Sequence, residues 1–581
     1  MGCGGSKTTD NSDNTGPRSP KKSNSPSPKK NNPNDEHLHG KTETCEASEH
    51  ESSKDAEEVK YEDEPVERMK TEEEPPNKLP LGDYGDGRLG VATEDVMIEK
   101  LKVLSDDELY CDADFPADNE ALYYSEGRVD PDIEWKRPKD ILEDGKEPRL
   151  LVDGVSKEDI KQGELGDCWF LSSCAAVSQQ ERFMKMIFPC NQPLSGPGYK
   201  GAVKFKFWRF GEWIDVLIDD LLPTKNNQLV YARCSDETEF WVALLEKAYA
   251  KLHGSYEAIE GGQSMDALVD LTGGLGEIYD IYNNPDNKLY QKFRRAQKAG
   301  SFIACSKKGD WRSSDHADKN GLVSGHAYTI TGVARIKQEG AGFEKLIRVR
   351  NPWGDSTEWN GPWSDGHSNW DNVDDSVKKA VGFTEKGDGE FWMSFDDFCA
   401  QFNQVTICTT GPDFDGDGDA DQGGCIMYEH GEWKEDTAGG CRNDLDSFAT
   451  NPQFDLHITD VDDDDDEDED ETKGKACVVI ALMQEHRRSK RHMGVKELQI
   501  GFVLYKCEDG SQKLPKKHFM YNYDAGKSGT YINLREVSAR FDLEPGHYMV
   551  IPSTFNKGDT GKFMMRVFAE KKIGFKGPVT E

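Results

Sequence analysis

Apolar positions alternate at Val203, Phe205 and Phe207, and again at Ile214, Val216 and Ile218, on either side of a Phe-Gly-Glu turn. A period of two predicts a β-hairpin with one face buried. The spacing changes over 240–252, where Phe240, Trp241, Leu244, Leu245, Ala248, Tyr249 and Leu252 recur every three or four residues. These form one stripe of an amphipathic helix, and its aromatics are core rather than a cofactor site. The run Trp169-Phe-Leu-Ser-Ser-Cys-Ala-Ala-Val is small and apolar throughout, which predicts a buried helix opening at Cys168. Strand-like runs follow at 326–335 and 345–350, and Gly261-Gly262 marks a hinge between two lobes, 110–262 and 263–410. After 411 the pattern is short β-like runs, at 454–459, 476–483, 498–505, 548–551 and 563–569, with helical runs nearly absent. That predicts an antiparallel β-sandwich over 411–581. Residues 1–109 are rich in Ser, Pro, Asn, Lys and Glu and poor in aromatics, the composition of a disordered tail. The expected class is α+β, with a two-lobed core, a β-sandwich and an unstructured N-terminus.

Composition narrows the range of functions. At 581 residues the chain is too long for one core. A net charge of −37, from 109 acidic against 72 basic residues, argues against nucleic acid as a partner. Part of the excess is local: 460–471 holds 11 acidic residues in 12, a stretch that repels itself unless cations or basic groups meet it. The basic run 487–491 is a candidate to face it, in a contact sensitive to calcium or lipid; both runs are equally explained as solvated faces. The 14 cysteines are scattered with no Cys-x-x-Cys pair, which suits a reducing compartment and offers no zinc site. No apolar run is a signal peptide or long enough to span a bilayer, so the expectation is an intracellular protein. Asp413-Phe-Asp-Gly-Asp-Gly418-Asp opens like an EF-hand loop, but Gly424 stands where the bidentate Glu belongs, and no flanking helices are readable.

Three separated strings carry the chemistry: Gln162-Gly-Glu-Leu-Gly-Asp-Cys168-Trp, Gly325-His326-Ala-Tyr and Arg350-Asn351-Pro-Trp353-Gly. A cysteine protease needs a thiolate, a base, a group that orients the base and an oxyanion donor. Cys168, His326 and Asn351 supply the first three in that order, and the Gln162 amide is expected to face the carbonyl that Cys168 attacks. A thiol at a helix N-terminus is expected to have its pKa lowered toward the thiolate. Trp353 is expected to shield the His–Asn contact from water. Singly, each has a bland reading as a core thiol, a structural histidine or a turn.

Further strings occur in the same order: Glu134-Trp-Lys-Arg-Pro, Phe210-Gly-Glu-Trp-Ile-Asp-Val, Asp219-Asp-Leu-Leu-Pro, Phe240-Trp-Val-Ala-Leu-Leu-Glu-Lys-Ala-Tyr-Ala-Lys, Gly254-Ser-Tyr-Glu-Ala and Asp388-Gly-Glu-Phe-Trp-Met-Ser-Phe. With them, 110–408 resembles the protease core of the calpains, calcium-dependent intracellular cysteine proteases of papain-like descent. Asn451-Pro-Gln-Phe, Ala481-Leu-Met-Gln and Ile500-Gly-Phe resemble the β-sandwich domain that follows that core, and the acidic loop also matches it. The resemblance implies limited cleavage of protein substrates and two lobes, misaligned without calcium, that each bind one Ca²⁺. Carried over by position, the ligands are Val152 and Gly154 (backbone), Asp159 and Glu239 in the first lobe. In the second they are Glu358, Asp365, Lys386 (backbone), Asp388 and Glu390. The loop 353–359 is one residue longer than is usual, which bears on Glu358. Nothing like the penta-EF-hand domain of many calpains follows 581, so no small subunit of that kind is expected as a partner. Two other readings stay open: a scaffold with an inert protease fold, and a calcium-responsive lipid-binding sandwich.

At the tip, Met1-Gly2-Cys3-Gly4-Gly5-Ser6 fits a myristoylation pattern at Gly2, with Cys3 an S-palmitoylation site beside it. Arg18, Lys21, Lys22, Lys29 and Lys30 add charge for anionic membrane lipids at the inner face of a membrane, expected to be the plasma membrane.

Overall fold

The computed structural model describes residues 101–580, apart from 106–107, 153, 189–191, 282–287, 311, 313–315, 339–341, 412–424, 462–473, 486 and 570. Gly2, Cys3, the Asp413 string and most of the acidic run lie outside the described residues. No helix among them is long and apolar enough to cross a membrane.

The predicted hairpin forms from Ala202–Arg209 and Glu212–Asp219, in antiparallel register from Ala202–Asp219 to Arg209–Glu212. Its turn places Phe210 at φ 52° and Gly211 at φ 102°, left-handed angles that suit the twist of a tight hairpin. The striped helix runs Trp241–His253 and buries all its large apolar residues except Leu252, which is partly buried. It packs in one core with the helix Cys168–Val177, every residue of which is buried. The helix Ser264–Thr272 follows Gly261-Gly262, yet its Met265, Leu268, Val269 and Leu271 join that same core.

A six-stranded antiparallel sheet forms the next body, in the order Glu390–Ser394, Gly342–Arg350, His326–Gln338, Phe302–Lys307, Gln404–Thr409, Leu275–Asp280. Pairing of Thr329 with Arg350 brings the start of one strand, His326, to the end of the next, just before Asn351. The Cys168 helix lies on this sheet, and Thr329 Oγ1 donates to Ser172 O at 2.6 Å.

Beyond 424 two antiparallel sheets face each other across an apolar core. One has the order Cys425–Trp433, Gly561–Ala569, Ala476–Gln484, Glu536–Leu543; the other Gly526–Lys527, Ile500–Cys507, Gly546–Thr554, Phe454–Ile458, Ile573–Lys576. The sandwich is joined to the preceding core through arginines. Arg566 grips Glu536 with Nε and Nη2, both at 2.7 Å. Its Nη1 caps the Ser264–Thr272 helix by donating to Gly273 O at 3.1 Å and Gly274 O at 3.0 Å. Arg535 donates to Asp270 Oδ1 at 2.6 Å and Asp266 O at 2.9 Å. The basic run meets backbone carbonyls of the core: Arg488 Nη1 donates to Gly261 O at 2.9 Å and Arg491 Nη1 to Glu260 O at 2.8 Å. These bonds give the two arginines partners in the core; most of the acidic run expected to face them lies outside the described residues.

Removing one partner of a fully buried ion pair strands the other charge, which costs about 3–5 kcal/mol. Arg566→Ala leaves Glu536 in that position, with both side chains at 1% exposure or less. We expect a loss of that size in chemical denaturation, and recovery of most of it in Arg566→Met/Glu536→Leu. Unchanged stability in the single variant would show that the pair is dispensable.

Candidate active site

Cys168 is the first residue of its helix, and His326 is the first residue of its strand. Together with Gly166, Trp169, Gly261 and Gly262 they line one cavity of about 200 Å³. The His326 Nε2–H donates to Asn351 Oδ1 at 2.8 Å, since a carbonyl oxygen can only accept. That leaves Nδ1 as the ring's free nitrogen. Asn351 is fully buried and held on all sides: Oδ1 also accepts from Trp353 N at 3.1 Å, and Nδ2 donates to Thr357 O at 3.0 Å. The Trp353 ring lies over His326 with centroids 5.3 Å apart, as a shield would. Trp169 is wedged on the other side. A Cβ on Gly262 would come within 2.4 Å of its indole, so only glycine fits there, and Arg488 of the sandwich stacks over the same ring at 4.7 Å.

The electrostatics differ from the helix-dipole expectation. Burial pushes the Cys168 thiol up from its ordinary 9.0 to about 12, against the Ala327 and Trp169 amides that favour the thiolate. That rise is about 4 kcal/mol. A helix terminus contributes about 0.3–1 kcal/mol, so desolvation wins. Burial likewise lowers His326 to about 4, although its bond to Asn351 pulls the other way. The preceding Asp167 carries a second buried acid against it, Glu246, which accepts from Ala232 N at 3.1 and 3.2 Å. Burial raises the pKa of both; the charge of Asp167 adds to the rise of Glu246, while the hydrogen bond between them opposes the rise of Asp167. Glu246 was hidden in the sequence inside the stripe of the 241–253 helix, where an acid is ordinarily solvated.

Gln162 does not line the Cys168 cavity. Its Nε2 donates to Leu165 O at 2.7 Å, and its Oε1 is buried without a partner. A local carbonyl satisfies the amide, and the side chain instead borders a neighbouring cavity with Trp353.

The expected cation ligands fall in two places. In the first lobe Glu239 accepts from Val152 N at 2.7 Å, Gly154 has φ 102°, and Asp159 accepts from Ser156 N at 2.7 Å. The loops meet where Ser235 N donates to Asp159 O at 2.8 Å. In the second, Glu358 accepts from Gly389 N at 2.8 Å and Asp365 from Lys386 N at 2.9 Å. Burial first, then neighbouring acids including Asp388, push Glu358 up to about 7 and Asp365 up to about 6. Asp365 Oδ1 is buried with no partner. A set of half-buried, mutually repelling carboxylates with an orphan oxygen fits a hard divalent cation. Among the described residues, however, no group of three or more acids, histidines or cysteines is already gathered as a metal cage. Glu390 is engaged elsewhere: it is ion-paired with Lys157 of the first lobe and accepts from Thr331 Oγ1 at 2.5 Å. Burial opposes its charge, but Arg348 and Lys157 hold it at about 2.

A buried helix opening at a cysteine, laid on an antiparallel sheet that presents a histidine and an asparagine, is the architecture of a papain-like cysteine protease core. The chain belongs to the calpain family: residues 110–409 match the family model described as calpain family cysteine protease, and 429–568 that of calpain large subunit, domain III. It is 44% identical to Calpain-A of Drosophila melanogaster over 478 residues, 80% of this chain and 56% of that protein. It is 43% identical to human Calpain-9 over 468 residues, 80% of this chain and 65% of that one. Calpain clp-1 of Caenorhabditis elegans is 42% identical over 474 residues, 80% and 59%. The chain thus spans under two thirds of the length of these relatives.

Below about pH 6.5 the unfolded chain takes up a proton that the folded His326 ring refuses until about pH 4. Its folded pKa is depressed, so stability falls as pH falls through that window, by up to about 3 kcal/mol. His326→Gln should lose that part of the acid limb in unfolding measured from pH 7 to 4. An identical slope in the variant would mean that the ring is not held neutral.

Proposed function

We propose that this chain is a calcium-activated cysteine endopeptidase making limited cleavages in protein substrates. The observation that carries the reading is the His326–Asn351 hydrogen bond at the wall of the cavity that holds the Cys168 thiol, in a chain of the calpain family. The Cys168 thiol gives its proton to His326 Nδ1 and attacks the substrate carbonyl. The oxyanion is held by the Cys168 backbone N–H and by the Gln162 amide, once that amide leaves Leu165 O. His326 then protonates the leaving amine, and the acyl-enzyme is released when the same ring takes a proton from water. Asn351 keeps the ring in the tautomer with Nδ1 free.

Val152, Gly154, Asp159 and Glu239 would hold one Ca²⁺, and Glu358, Asp365, Lys386, Asp388 and Glu390 the other. The ion would supply positive charge among acids that otherwise repel. Attack geometry tolerates a misfit of only ~1 Å, so ordering these loops in each lobe is a route to activation. A casein-cleavage assay with calcium and with excess chelator tests the whole. Cys168→Ser and His326→Ala should each lose at least about a thousandfold in rate. Asp159→Ala/Asp388→Ala should need more calcium. Full activity in chelator would overturn the calcium reading, and an active serine variant the nucleophile.

Membrane attachment at the tail belongs to the same proposal. Each buried CH₂ contributes about 0.8 kcal/mol, so a myristoyl group on Gly2 alone binds reversibly, and a second signal is required. Palmitoyl on Cys3, or the basic residues from Arg18 to Lys30, would supply it. On fractionation of cells, Gly2→Ala should be cytosolic and Cys3→Ser intermediate. Equal distribution of both with wild type would leave the Gly-rich start with no anchoring role.

A further inference from the structure

We propose that Lys161 and Arg233 form a subsite that selects a carboxylate side chain on the leaving-group side of the scissile bond; this rests on the proteolytic reading above and deepens it. The two residues stand directly opposite each other in the short antiparallel ladder Ile160–Lys161 with Arg233–Cys234. Directly opposed cross-strand side chains share a face about 4.5–5.5 Å apart at Cβ, and like charges there destabilise the pair. No carboxylate among the described residues makes a salt bridge with either cation. Both border a cavity of about 330 Å³ that also meets Gln162, Trp353, Gly354 and Asp355. Asp355 is the single acid on its wall, and Asp355 Oδ1 already accepts from Thr357 N at 2.9 Å. Behind Gly354 lies a third cation. A Cβ on that glycine would be 3.2 Å from Lys161 Cγ and 3.7 Å from Arg350 Nη2. Arg350 is 2% exposed, and its Nε has no partner. The wall therefore carries two cations against one carboxylate, with a third cation behind it, an excess of positive charge.

Its position says which part of a substrate would meet that charge. Trp353 covers His326 and also lines this cavity. The glycines Gly261 and Gly262 and Trp169 line the other one. His326 protonates the leaving amine, so the chain on that nitrogen departs past the ring that covers the base. Residues just after the scissile bond thus run toward Lys161 and Arg233, and the acyl half occupies the glycine-lined cavity. A carboxylate suits the pair because a guanidinium can take it through two parallel hydrogen bonds while the ammonium adds a point charge. In the sequence these residues look like solvated charges, as they lie 72 positions apart.

The test uses pairs of fluorogenic peptides, identical except for Glu or Gln at each of the first three positions after the bond, cut by the full chain in saturating calcium. At one of these positions kcat/KM should favour Glu by about fivefold to tenfold at low salt, falling as ionic strength rises. In Lys161→Gln/Arg233→Gln the ratio should fall to about one, and in Lys161→Arg/Arg233→Lys it should persist. The proposal is overturned by a ratio of one at all three positions in wild type, or by a preference that survives in the double glutamine variant. Fluorescence anisotropy of the same peptides on the Cys168→Ser chain reads the subsite without turnover. If no peptide is cut, the proteolytic reading fails, and equal binding of Glu and Gln peptides there would separately overturn the subsite.

Discussion

The packing of the Cys168 helix onto the strand that begins at His326 fixes everything else in this site. All ten residues of the helix are buried, and Thr329 ties the strand to Ser172 one turn past the nucleophile. The same burial that sets the positions works against the charges that the proposed catalysis would use. Forming a thiolate and an imidazolium here costs about 4 and about 3 kcal/mol respectively, net of the hydrogen bonds that favour them and chiefly through desolvation. Two opposite charges 4 Å apart at an effective dielectric of 20 recover about 4 kcal/mol. Attraction between them covers about half of the cost, and the rest must come from closer approach.

The β-sandwich bears on that balance because its arginines hold the same residues. Arg488 stacks on Trp169, the neighbour of Cys168, and also binds Gly261 O, while Arg491 binds Glu260 O. Arg566 caps the next helix and Arg535 holds its acids. Buried and half-buried guanidinium groups bonded to carbonyls and carboxylates resist sliding more than apolar contact does, since a displaced bond strands a polar atom. The sandwich therefore restrains the lobe that carries Cys168.

Much of the fold could be read from apolar spacing. The 203–218 hairpin, the 241–253 stripe and the helix opening at Cys168 each follow from local periodicity, and each forms. The strand Cys425–Trp433 escaped notice because its outward face carries Ile426 and Tyr428, which are 42% and 41% exposed and blur the alternation. Glu536–Leu543 escaped for a different reason: its charges belong to buried or edge pairs, as Glu536 does with Arg566. In the site, the order Cys, His, Asn and the His–Asn contact were legible, because both residues sit at ends of neighbouring strands. The Gln162 rotamer, the Glu390–Lys157 pair and the docking of 487–491 were not, since each is a choice among partners that only the tertiary structure brings within reach. Periodicity says which face is buried, but not what it meets.

The charge of the chain adds a last constraint. At −37 the molecule repels acidic substrates, but beyond a Debye length of about 8–10 Å that repulsion is largely screened. Several buried or half-buried cations around the core are committed: Lys157 to Glu390, Arg566 to Glu536, Arg488 and Arg491 to carbonyls. What a bound peptide senses is therefore the short-range field of the groups left over beside the cleft. A net negative surface slows encounter with acidic partners at low salt and leaves the choice among them to contacts made after arrival, where the proposed Lys161–Arg233 pair would act on dissociation rather than on approach.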